Sequence, residues 1–530
     1  MKLADQVADF LARQGLKRVF GIPGTESLPL IEALEERGVD FVLTRHESAA
    51  AFMADATAYL TGDLQACVTT KGPGAINLLL GATSAYYDGS PVLAITGEVP
   101  RHRRARFTHQ ATDLDALYAP VSKGSFYLTP ENAAEVLPQA ASLAMAEKPG
   151  TVRLGLSGYE AERDAQGEPV PARVDAVPVD EAALQAVAQE LARAQRPFVL
   201  VGEEVWRARQ TEALVRLAER LGLPVAVTPR AKGVFPESHP NYCRVLTFYQ
   251  DAPIRALIDE SDLVLAVGVD GAAFQNGWSF RTPVVSLSSI GPDPVPAPRV
   301  HARGDLRASL EFLLSLPSRE GWGTDAAGKC RQEIDRLFVN NEPCQSCLSP
   351  QSAARILKET LPADTIVTVD VGSHRLVVGQ IWQTAGPGRF IGPSGLTGMG
   401  GGVPSAIAAS LELPGERVAA VVGDGGMLMT TGELETLVRV GSHALVVVFN
   451  DRTLSSIKRK RDAQGHPTTE KAVVTGRTNF ATLAGSFGIP AFRANSETEL
   501  AKAVESWQRS GGPTLVDVTV EYAYYRSMSY

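Results

Sequence analysis

Glycines and oxygen-bearing side chains at the ends of two apolar runs are the residues best suited to chemistry. Asp424 lies among glycines directly after the apolar run 418–422, and Asn450 and Asp451 follow the apolar run 444–449. Glycines let backbone N–H groups approach a phosphate closely. Two oxygen-bearing side chains 27 positions apart suit a hard divalent ion that also takes phosphate oxygens. The pattern predicts a Mg²⁺-diphosphate site formed by Gly423, Asp424, Gly425, Gly426 and Asp451.

Two strands and the helix between them must position these residues. The apolar runs fit strands buried on both faces of a parallel sheet, which have continuous hydrophobic sequences. A helical stretch separates them, so the segment is a βαβ unit whose strands end at the sheet edge where open α/β sheets bind ligands. A ligand-free βαβ unit, in which Asp424 only caps the next helix, is the alternative.

A second candidate acid, Glu47, lies near the start of the chain. It follows a strand predicted over 41–44 and precedes a helix of small residues that begins at Ser48. By residue type alone, Glu47 is equally suited to be a partner of the helix dipole or an acid–base group at a sheet edge.

Length and composition indicate a soluble globular protein of several domains. The 530 residues suit about three domains, and 44% hydrophobic with 21% charged residues are ordinary values. A formal net charge of −8 argues against nucleic-acid binding. The sequence contains no run of about 18 apolar residues, so no membrane span is expected. Residues 1–15 are expected to form an amphipathic helix and not a signal peptide. Five cysteines argue against a disulfide framework and for a cytoplasmic protein, and Cys344 and Cys347 are expected to be two linker thiols.

Strand-like runs alternate with amphipathic helices along the chain, which is the pattern of doubly wound parallel sheets. The Pro- and charge-rich residues 163–180 and the strand-poor residues 315–350 are expected to be linkers. A helix is expected over 207–221. The predicted fold class is α/β, with three doubly wound parallel-sheet domains. The predicted strands are 18–20, 41–44, 65–69, 92–96, 198–201, 225–227, 263–267, 284–287, 366–371, 418–422, 444–449 and 514–520.

The Gly-Asp-Gly turn and the Asn-Asp pair that follows it resemble the diphosphate signature of thiamine-diphosphate enzymes. The three α/β segments are similar to the organisation of the pyruvate-oxidase-like members of that family. The resemblance implies a pyrimidine-binding domain at 1–165, a central α/β domain at 180–320 and a diphosphate- and Mg-binding domain at 348–530. It also implies the cofactors thiamine diphosphate and Mg²⁺.

In the first domain, the resemblance implies the pyrimidine side of a site. The context of Glu47 is similar to that of a family glutamate that hydrogen-bonds the pyrimidine ring, promotes the imino tautomer and so deprotonates the thiazolium carbon. A carboxyl group buried against an aromatic ring has a raised pKa, which suits proton exchange near neutrality. Residues 70–77 and 95–100 resemble turns that line the cofactor, and His109 is either a substrate-facing acid–base group or an exposed loop histidine. The implied residues are Glu47, Gln110 and His109 for catalysis and Thr25, Pro73 and Asn77 for cofactor binding.

In the last domain, the resemblance implies the diphosphate side. Residues 394–400 are similar to a stretch that places a bulky residue, here Met399, beneath the cofactor and lets a carbonyl, here of Thr397, receive its amine. The implied metal ligands are Asp424, Asp451 and the carbonyl of Thr453, with Asn450 in place of Asp451 if the register shifts by one residue. A turn similar to the family's diphosphate-binding turn supplies Gly372, Ser373 and His374.

The resemblance is strongest to flavin-free acetolactate-synthase-like carboligases and covers essentially the whole chain. It implies decarboxylation of a pyruvate-like 2-oxo acid and transfer of the acyl carbanion to a second carbonyl compound. Residues 267–271 depart from the family's flavin-binding segment, which argues against bound FAD. His102 and His109 are separated where decarboxylases have an adjacent pair. Release of an aldehyde is therefore the alternative, and a catalytically inactive regulatory homologue is a weaker one.

Two basic clusters, residues 101–106 and 458–461, follow motifs that point into the implied site. Each is either a solvated or salt-bridged surface or a set of charges that favours an anionic 2-oxo acid substrate. The resemblance also implies a homodimer or homotetramer, with Glu47 of one subunit facing Asp424 of another. Neither a nucleic acid nor a membrane is expected as a partner, and a cytoplasmic location is expected.

Overall fold

The computed structural model describes the whole chain except residues 275–276, 293–296, 340–345, 467, 527 and 529–530. The described residues form three six-stranded sheets in which all neighbouring strands are parallel. The predicted fold class, three α/β domains with parallel sheets, is confirmed. The predicted domain boundaries stay a prediction.

The first of two compact units contains residues 1–175, 395–415 and 426–444. Its sheet has the strand order β2-β1-β3-β4-β6-β5. The strands are β1 Arg18–Ile22, β2 Asp40–Leu43, β3 Gln65–Thr69, β4 Val92–Gly97, β5 Gly124–Tyr127 and β6 Val152–Leu156. The helices are α1 Leu3–Arg13, α2 Leu28–Glu35, α3 Glu47–Thr61, α4 Pro73–Tyr87, α5 Leu114–Tyr118, α6 Ala133–Met145 and α7 Gly158–Ala161, together with α16 Gly402–Glu412 and α18 Glu433–Arg439.

The second unit contains residues 176–394, 416–425 and 445–530 and holds the other two sheets. One sheet has the order β12-β11-β10-β7-β8-β9, and the other has the order β14-β13-β15-β16-β18-β17. The first of these sheets contains β7 Pro197–Val201, β8 Val225–Val227, β9 Tyr242–Val245, β10 Leu263–Val267, β11 Val284–Ser288 and β12 Val300–Arg303. The other contains β13 Ile366–Val369, β14 Phe390–Ile391, β15 Val418–Gly423, β16 Leu445–Asn450, β17 Ala491–Ala494 and β18 Thr514–Thr519.

Helices precede and follow these strands along the chain. In the second unit they are α8 Glu181–Arg193, α9 Glu204–Arg207, α10 Thr211–Leu221, α11 Ala252–Asp259, α12 Leu306–Leu313, α13 Gly323–Leu337, α14 Pro350–Thr360, α15 Ser373–Ile381, α19 Ser455–Ala463, α20 Glu470–Val473, α21 Phe480–Gly485, α22 Glu497–Ser510 and α23 Ala523–Arg526. Helix α17, Asp424–Met429, begins in the second unit and ends in the first. None of the helices in the described ranges is long and apolar enough to span a bilayer.

The apolar pattern of the sequence explains most of these elements. Strands β3, β4 and β6 are buried along their whole length, as expected for parallel strands covered on both faces. The predicted amphipathic helix at the start of the chain is α1, which buries Leu3, Val7 and Leu11.

Two expectations about helices were wrong. The helix expected over 207–221 is divided into α9 and α10, because Arg209 between them has a φ of 56°, which no right-handed helix accommodates. The linker expected over 315–350 contains α13, whose Ala327, Cys330 and Ile334 are buried at helical spacing. In the linker expected over 163–180, no helix or strand forms.

The cysteine expectation was also wrong in part. Cys347 is disulfide-bonded rather than a free thiol. Cys344 lies outside the described residues.

Candidate active site

The predicted βαβ unit is present in the second unit. Strands β15 and β16 are parallel neighbours with Gly423 paired to Phe449, so Asp424 and Asn450 come next at the carboxyl ends of the two strands. Helix α17 begins at Asp424. The sheet therefore presents the predicted acidic residues at one edge, as the sequence pattern required.

One buried and one half-buried carboxyl group, of Asp424 and Asp451, characterise this edge. The pKa of Asp451 is raised to about 7, mainly because the carboxyl group is buried and also because of the charge of Asp424. Burial likewise raises the pKa of Asp424 above its ordinary value, while the Thr475 hydroxyl, which donates to Asp424 Oδ2 at 2.6 Å, acts to lower it. Two neighbouring acids whose pKa values are raised by desolvation and by nearby negative charge form a site that a divalent cation would stabilise.

The loop after β16 holds Asp451 in place. The backbone N–H of Thr453 donates to Asp451 Oδ1 at 2.9 Å, and the Ser455 hydroxyl donates to Asp451 Oδ2. The carbonyl of Thr453 accepts hydrogen bonds from the Ser455 N–H at 2.8 Å and from its hydroxyl at 3.1 Å. A cation bound to the Thr453 carbonyl would share that oxygen with Ser455. The neighbouring Asn450 donates its amide to Asp517 Oδ1 at 2.9 Å, which supports Asp451 over Asn450 as the ligand.

Sequence reasoning missed Thr475. Residues 452–454 pair with residues 473–475, through hydrogen bonds of 2.7 Å from Leu454 N–H to the Val473 carbonyl and 2.8 Å from Thr475 N–H to the Arg452 carbonyl. This pairing brings the Thr475 hydroxyl to Asp424. No sequence motif marks it, because the contact joins residues 51 positions apart through a short irregular segment.

The glycine turn before α15 holds His374 against the same loop. A Cβ atom on Gly423 would lie 3.1 Å from the His374 ring, and one on Gly372 would lie 2.7 Å from it. Burial lowers the pKa of His374 to about 3, with the charge of Arg375 acting in the same direction, so the imidazole is neutral at physiological pH. Its buried Nε2 has no hydrogen-bond partner in the described part of the chain. Ser373, the first residue of α15, accepts a hydrogen bond from the Tyr249 hydroxyl at 3.1 Å.

These features fit a metal-bound diphosphate. Two carboxyl groups supply hard oxygen ligands, and glycine turns of this kind let backbone N–H groups approach phosphate oxygens closely. The unpartnered ring nitrogen of His374 is a buried polar atom that a bound ligand would satisfy. Within the described residues, no three His, Cys, Asp or Glu side chains form a metal-binding group, so a cation here needs ligands beyond acidic side chains.

The second basic cluster does not form a charged surface throughout. Arg459 is buried, its guanidinium lies over the Tyr249 ring with 4.6 Å to the ring centre, and it donates to the Met528 carbonyl at 2.9 Å. Lys458 forms an ion pair with Asp462 at 3.2 Å. These two side chains therefore serve packing and ion pairing.

In the first unit, Glu47 is the first residue of α3 and is 8% exposed. Its Oε2 accepts a hydrogen bond from Asn77 Nδ2 at 3.0 Å. A Cβ atom on Gly74 would lie 2.5 Å from Thr69 Oγ1 and 3.2 Å from Glu47 Oε1, so a glycine here lets the start of α4 pack closely against β3 and this carboxyl group. The structure thus brings Glu47, Pro73 and Asn77 together.

Gln110 and His109 lie on the loop after β4. Gln110 has a φ of 57° and packs against the turn before α4, where a Cβ atom on Gly72 would lie 2.8 Å from Gln110 Cβ. His109 is exposed. Thr25, also exposed, lines a cavity of about 400 Å³ with Lys71 and other residues at the carboxyl ends of the strands of this sheet.

Ion pairs neutralise part of the first basic cluster. Arg101 pairs with Asp115 at 3.4 Å and Arg104 with Glu98 at 2.5 Å. Arg103 lies over the Tyr159 ring, 5.7 Å from its centre.

Thr397 and Met399 lie on the half-buried segment before α16, and both belong to the first unit. Thr397 has a φ of 55°, and a Cβ atom on Gly398 would lie 3.1 Å from Leu80 Cδ1. The sequence-predicted residues thus fall into two groups. The first unit holds Thr25, Glu47, Pro73, Asn77, His109, Gln110, Thr397, Met399 and Gly426, and the second holds Gly372, Ser373, His374, Gly423, Asp424, Gly425, Asp451 and Thr453.

Comparison with known protein families identifies this combination of elements. The N-terminal TPP binding domain of thiamine pyrophosphate enzymes matches residues 1–118, the central domain of these enzymes matches residues 184–313, and their C-terminal TPP binding domain matches residues 370–518. Thiamine pyrophosphate (TPP) is another name for thiamine diphosphate.

Individual relatives match along nearly the whole chain. A probable acetolactate synthase large subunit of Methanocaldococcus jannaschii is 30% identical over 99% of this chain and 92% of its own length. The acetolactate synthase of Bacillus subtilis is 29% identical over 98% of this chain and 93% of its own length. The acetolactate synthase isozyme 2 large subunit of Escherichia coli is 29% identical over 98% and 96%, respectively. The chain therefore belongs to the thiamine-pyrophosphate-dependent enzymes, in the family that contains the acetolactate synthase large subunits.

Proposed function

We propose that this enzyme decarboxylates a pyruvate-like 2-oxo acid and transfers the acyl unit to a second carbonyl compound, as in acetolactate synthesis. Its similarity to proteins named acetolactate synthase, over 97% or more of its length, carries this proposal. The two buried clusters around Glu47 and around Asp424 support it, because each has the side chains that the chemistry needs.

The cluster in the second unit is proposed to hold the diphosphate and the metal. Asp424, Asp451 and the Thr453 carbonyl would bind Mg²⁺, and the turn at residues 372–374 with the glycines at 423 and 425 would bind phosphate oxygens. Removal of the Asp451 proton must accompany metal binding, since the pKa of this group is raised to about 7.

The cluster in the first unit is proposed to act on the other end of the cofactor. When bound, thiamine diphosphate would supply an acidic thiazolium carbon as the nucleophile for the substrate carbonyl. Glu47 would exchange a proton with the pyrimidine ring. Asn77 would orient the Glu47 carboxyl group through the 3.0 Å hydrogen bond between the two side chains. Gln110 and His109 would contact the substrate. The Thr397 carbonyl and the Met399 side chain would fix the cofactor's conformation.

Further properties are proposed on the same basis. The enzyme is a cytoplasmic homodimer or homotetramer that pairs Glu47 of one subunit with Asp424 of another, and its domains are residues 1–165, 180–320 and 348–530. It uses no FAD. The substrate is anionic, and Arg103, which lines the same cavity as Thr25, is the residue of the first basic cluster best placed to attract it.

A product assay tests the proposal. Purified protein is incubated with Mg²⁺, thiamine diphosphate and a panel of 2-oxo acids, and CO₂ and organic products are followed together. Acetolactate or acetoin formed from pyruvate in step with CO₂ supports carboligation, whereas an aldehyde as the only product would identify a simple decarboxylase. Absence of CO₂ release from every 2-oxo acid, with the cofactor bound, would refute the proposal and favour an inactive homologue.

A further inference from the structure

A fully buried carboxylate, Glu433, lies at the turn that leads into Glu47. Its exposed fraction is 1%. One oxygen, Oε1, accepts hydrogen bonds from the backbone N–H groups of Arg45 at 2.9 Å and His46 at 3.0 Å. The other, Oε2, accepts from the Thr436 hydroxyl at 2.7 Å. Both oxygens are thus engaged, and the two N–H groups belong to the residues immediately before Glu47.

The rest of helix α18 supports the same turn. Glu435 pairs with the Arg45 guanidinium at 2.6 Å, and Arg439 donates to the carbonyl of Leu43, the last residue of β2. A Cβ atom on Gly432 would lie 3.0 Å from Arg45 Cβ, so the turn packs closely on the start of the helix. The chain from the end of β2 to the start of α3 is therefore held by one short helix.

The two backbone hydrogen bonds that Glu433 accepts fix the conformation of the turn before α3. The N–H groups of Arg45 and His46 precede the first turn of α3, and an acceptor for both fixes the peptide planes on either side of Arg45, which determine how the chain enters α3 at Glu47. Asn77 fixes the far end of the same side chain, through its hydrogen bond to Glu47 Oε2. Burying an ionised carboxyl group is costly, and burial raises the pKa of Glu433 above its ordinary value.

We propose that Glu433 is a positioning residue for Glu47. It holds the turn at residues 45–46 so that the Glu47 carboxyl group reaches the proton it exchanges. This inference rests on the proposed function, since it assumes that Glu47 activates the cofactor. An ordinary stabilising role for Glu433 would affect folding and cofactor binding together, whereas a positioning role affects the activation step selectively.

The test measures hydrogen–deuterium exchange at the thiazolium carbon of thiamine diphosphate bound to the full-length enzyme with Mg²⁺, by acid quenching and NMR. Calorimetry on the same samples gives the cofactor dissociation constant. Glu433→Ala leaves both backbone N–H groups without an acceptor, and we expect exchange to slow by about a hundredfold, as for other small misplacements of a reacting group, with the dissociation constant little changed. Glu433→Gln keeps one oxygen to accept both N–H groups and should restore most of the rate.

Two further variants make the outcome decisive. Glu435→Gln is the matched control, because it removes a partly exposed charge of the same helix while its amide oxygen still accepts from Arg45 and Arg439. The turn keeps this support, so exchange should be unchanged. Glu433→Asp retains the buried charge, but its side chain is one methylene group shorter and its carboxyl group lies farther from the two N–H groups. This variant replaces Glu433→Ala in the test if the alanine variant does not fold. Exchange at the wild-type rate in the folded alanine or aspartate variant overturns the inference, as does a loss fully explained by weaker cofactor binding.

Glu47→Gln separates failure of this inference from failure of the proposed function. Slow exchange in Glu47→Gln together with normal exchange in Glu433→Ala refutes only the positioning role. Normal exchange in Glu47→Gln refutes the role of Glu47 itself, and the inference with it. Slow exchange in both variants, with Glu435→Gln unaffected, supports the inference.

Discussion

Replacing Asp451 by asparagine is predicted to stabilise the cofactor-free protein at pH 8 while weakening its response to Mg²⁺, because the amide oxygen remains a ligand but carries no charge. The substitution preserves local hydrogen bonds, since an amide oxygen still accepts from the Thr453 N–H that lies 2.9 Å from Oδ1. The new NH₂ group can donate to the Ser455 hydroxyl, which keeps the Thr453 carbonyl as its own acceptor at 3.1 Å. The main change is therefore the loss of a buried negative charge.

The size of the effect follows from the pKa of Asp451. This value rises from an ordinary 3.8 to about 7 in the folded protein. The folded state thus binds the proton more tightly than the unfolded state, so the carboxyl group contributes stability below pH 4 that is lost as the pH rises through 7. Removing the ionised group should therefore stabilise the folded protein. A shift of about 3 units at 1.36 kcal/mol each gives an upper limit of about 4 kcal/mol for this gain in stability at pH 8, and the gain should be about 2 kcal/mol at pH 5.

Urea denaturation of the cofactor-free wild type and variant at pH 5 and pH 8 measures this difference. The midpoint of the variant should exceed that of the wild type, with the larger gain at pH 8, and Mg²⁺ with thiamine diphosphate should raise the wild-type midpoint more than that of the variant. Asp462→Asn is the control of opposite sign, because a hydrogen bond from Tyr522 lowers the pKa of Asp462 and neutralisation should therefore destabilise the protein at pH 8. A variant less stable than the wild type at pH 8, or a gain independent of pH, would refute the reasoning.

Two other substitutions test contacts that the sequence did not reveal. Thr475→Val removes the donor to Asp424 at 2.6 Å and should weaken Mg²⁺ binding in the presence of cofactor by about tenfold in calorimetry, while Thr475→Ser retains wild-type affinity. Lys232→Met breaks a buried ion pair in which Lys232 Nζ lies 2.7 Å from Glu237 Oε1, and it should destabilise the protein by about 3–5 kcal/mol in thermal denaturation. The double variant with Glu237→Gln should recover part of that loss, and no recovery would contradict the charge argument.

The sequence predicts interior strands better than edge strands. All predicted strands have counterparts in the structure, and five of the six unpredicted strands, β5, β9, β12, β14 and β17, lie at the edge of a sheet. Strands β5, β12 and β17 are partly exposed, so their sequences lack a continuous apolar run, whereas the buried β9 contains Arg244 and the buried β14 has only two residues. The sixth, β6, lies inside its sheet but contains Arg153, which is fully buried because it pairs with Glu98 and Asp115. No local sequence pattern predicts that an arginine in a strand will be buried with ion-pair partners from elsewhere in the chain.

The same distinction applies to the candidate site. Asp424 and Asp451 are predictable because parallel strands bring their following residues to one edge, and the position of Glu47 after β2 follows from the same rule. Thr475 and Glu433 are not predictable in this way. Each contacts a distant part of the chain, and no fixed sequence spacing marks such a contact. The contacts of the basic clusters could not be predicted either. The sequence shows that Arg459 is charged, but not that its guanidinium lies over the Tyr249 ring and donates to the Met528 carbonyl.

The most direct test of the account is complementation between two inactive variants. Glu47→Gln and Asp424→Asn are each expected to lose activity alone, because each lacks one end of the cofactor site. If the two residues act on one cofactor from different subunits, dissociating and reassociating an equal mixture creates hybrid dimers with one intact site, and CO₂ release from the 2-oxo acid substrate should return to about a quarter of the wild-type rate. A mixture that stays inactive after proven subunit exchange, or a fully active Glu47→Gln enzyme, would contradict the account.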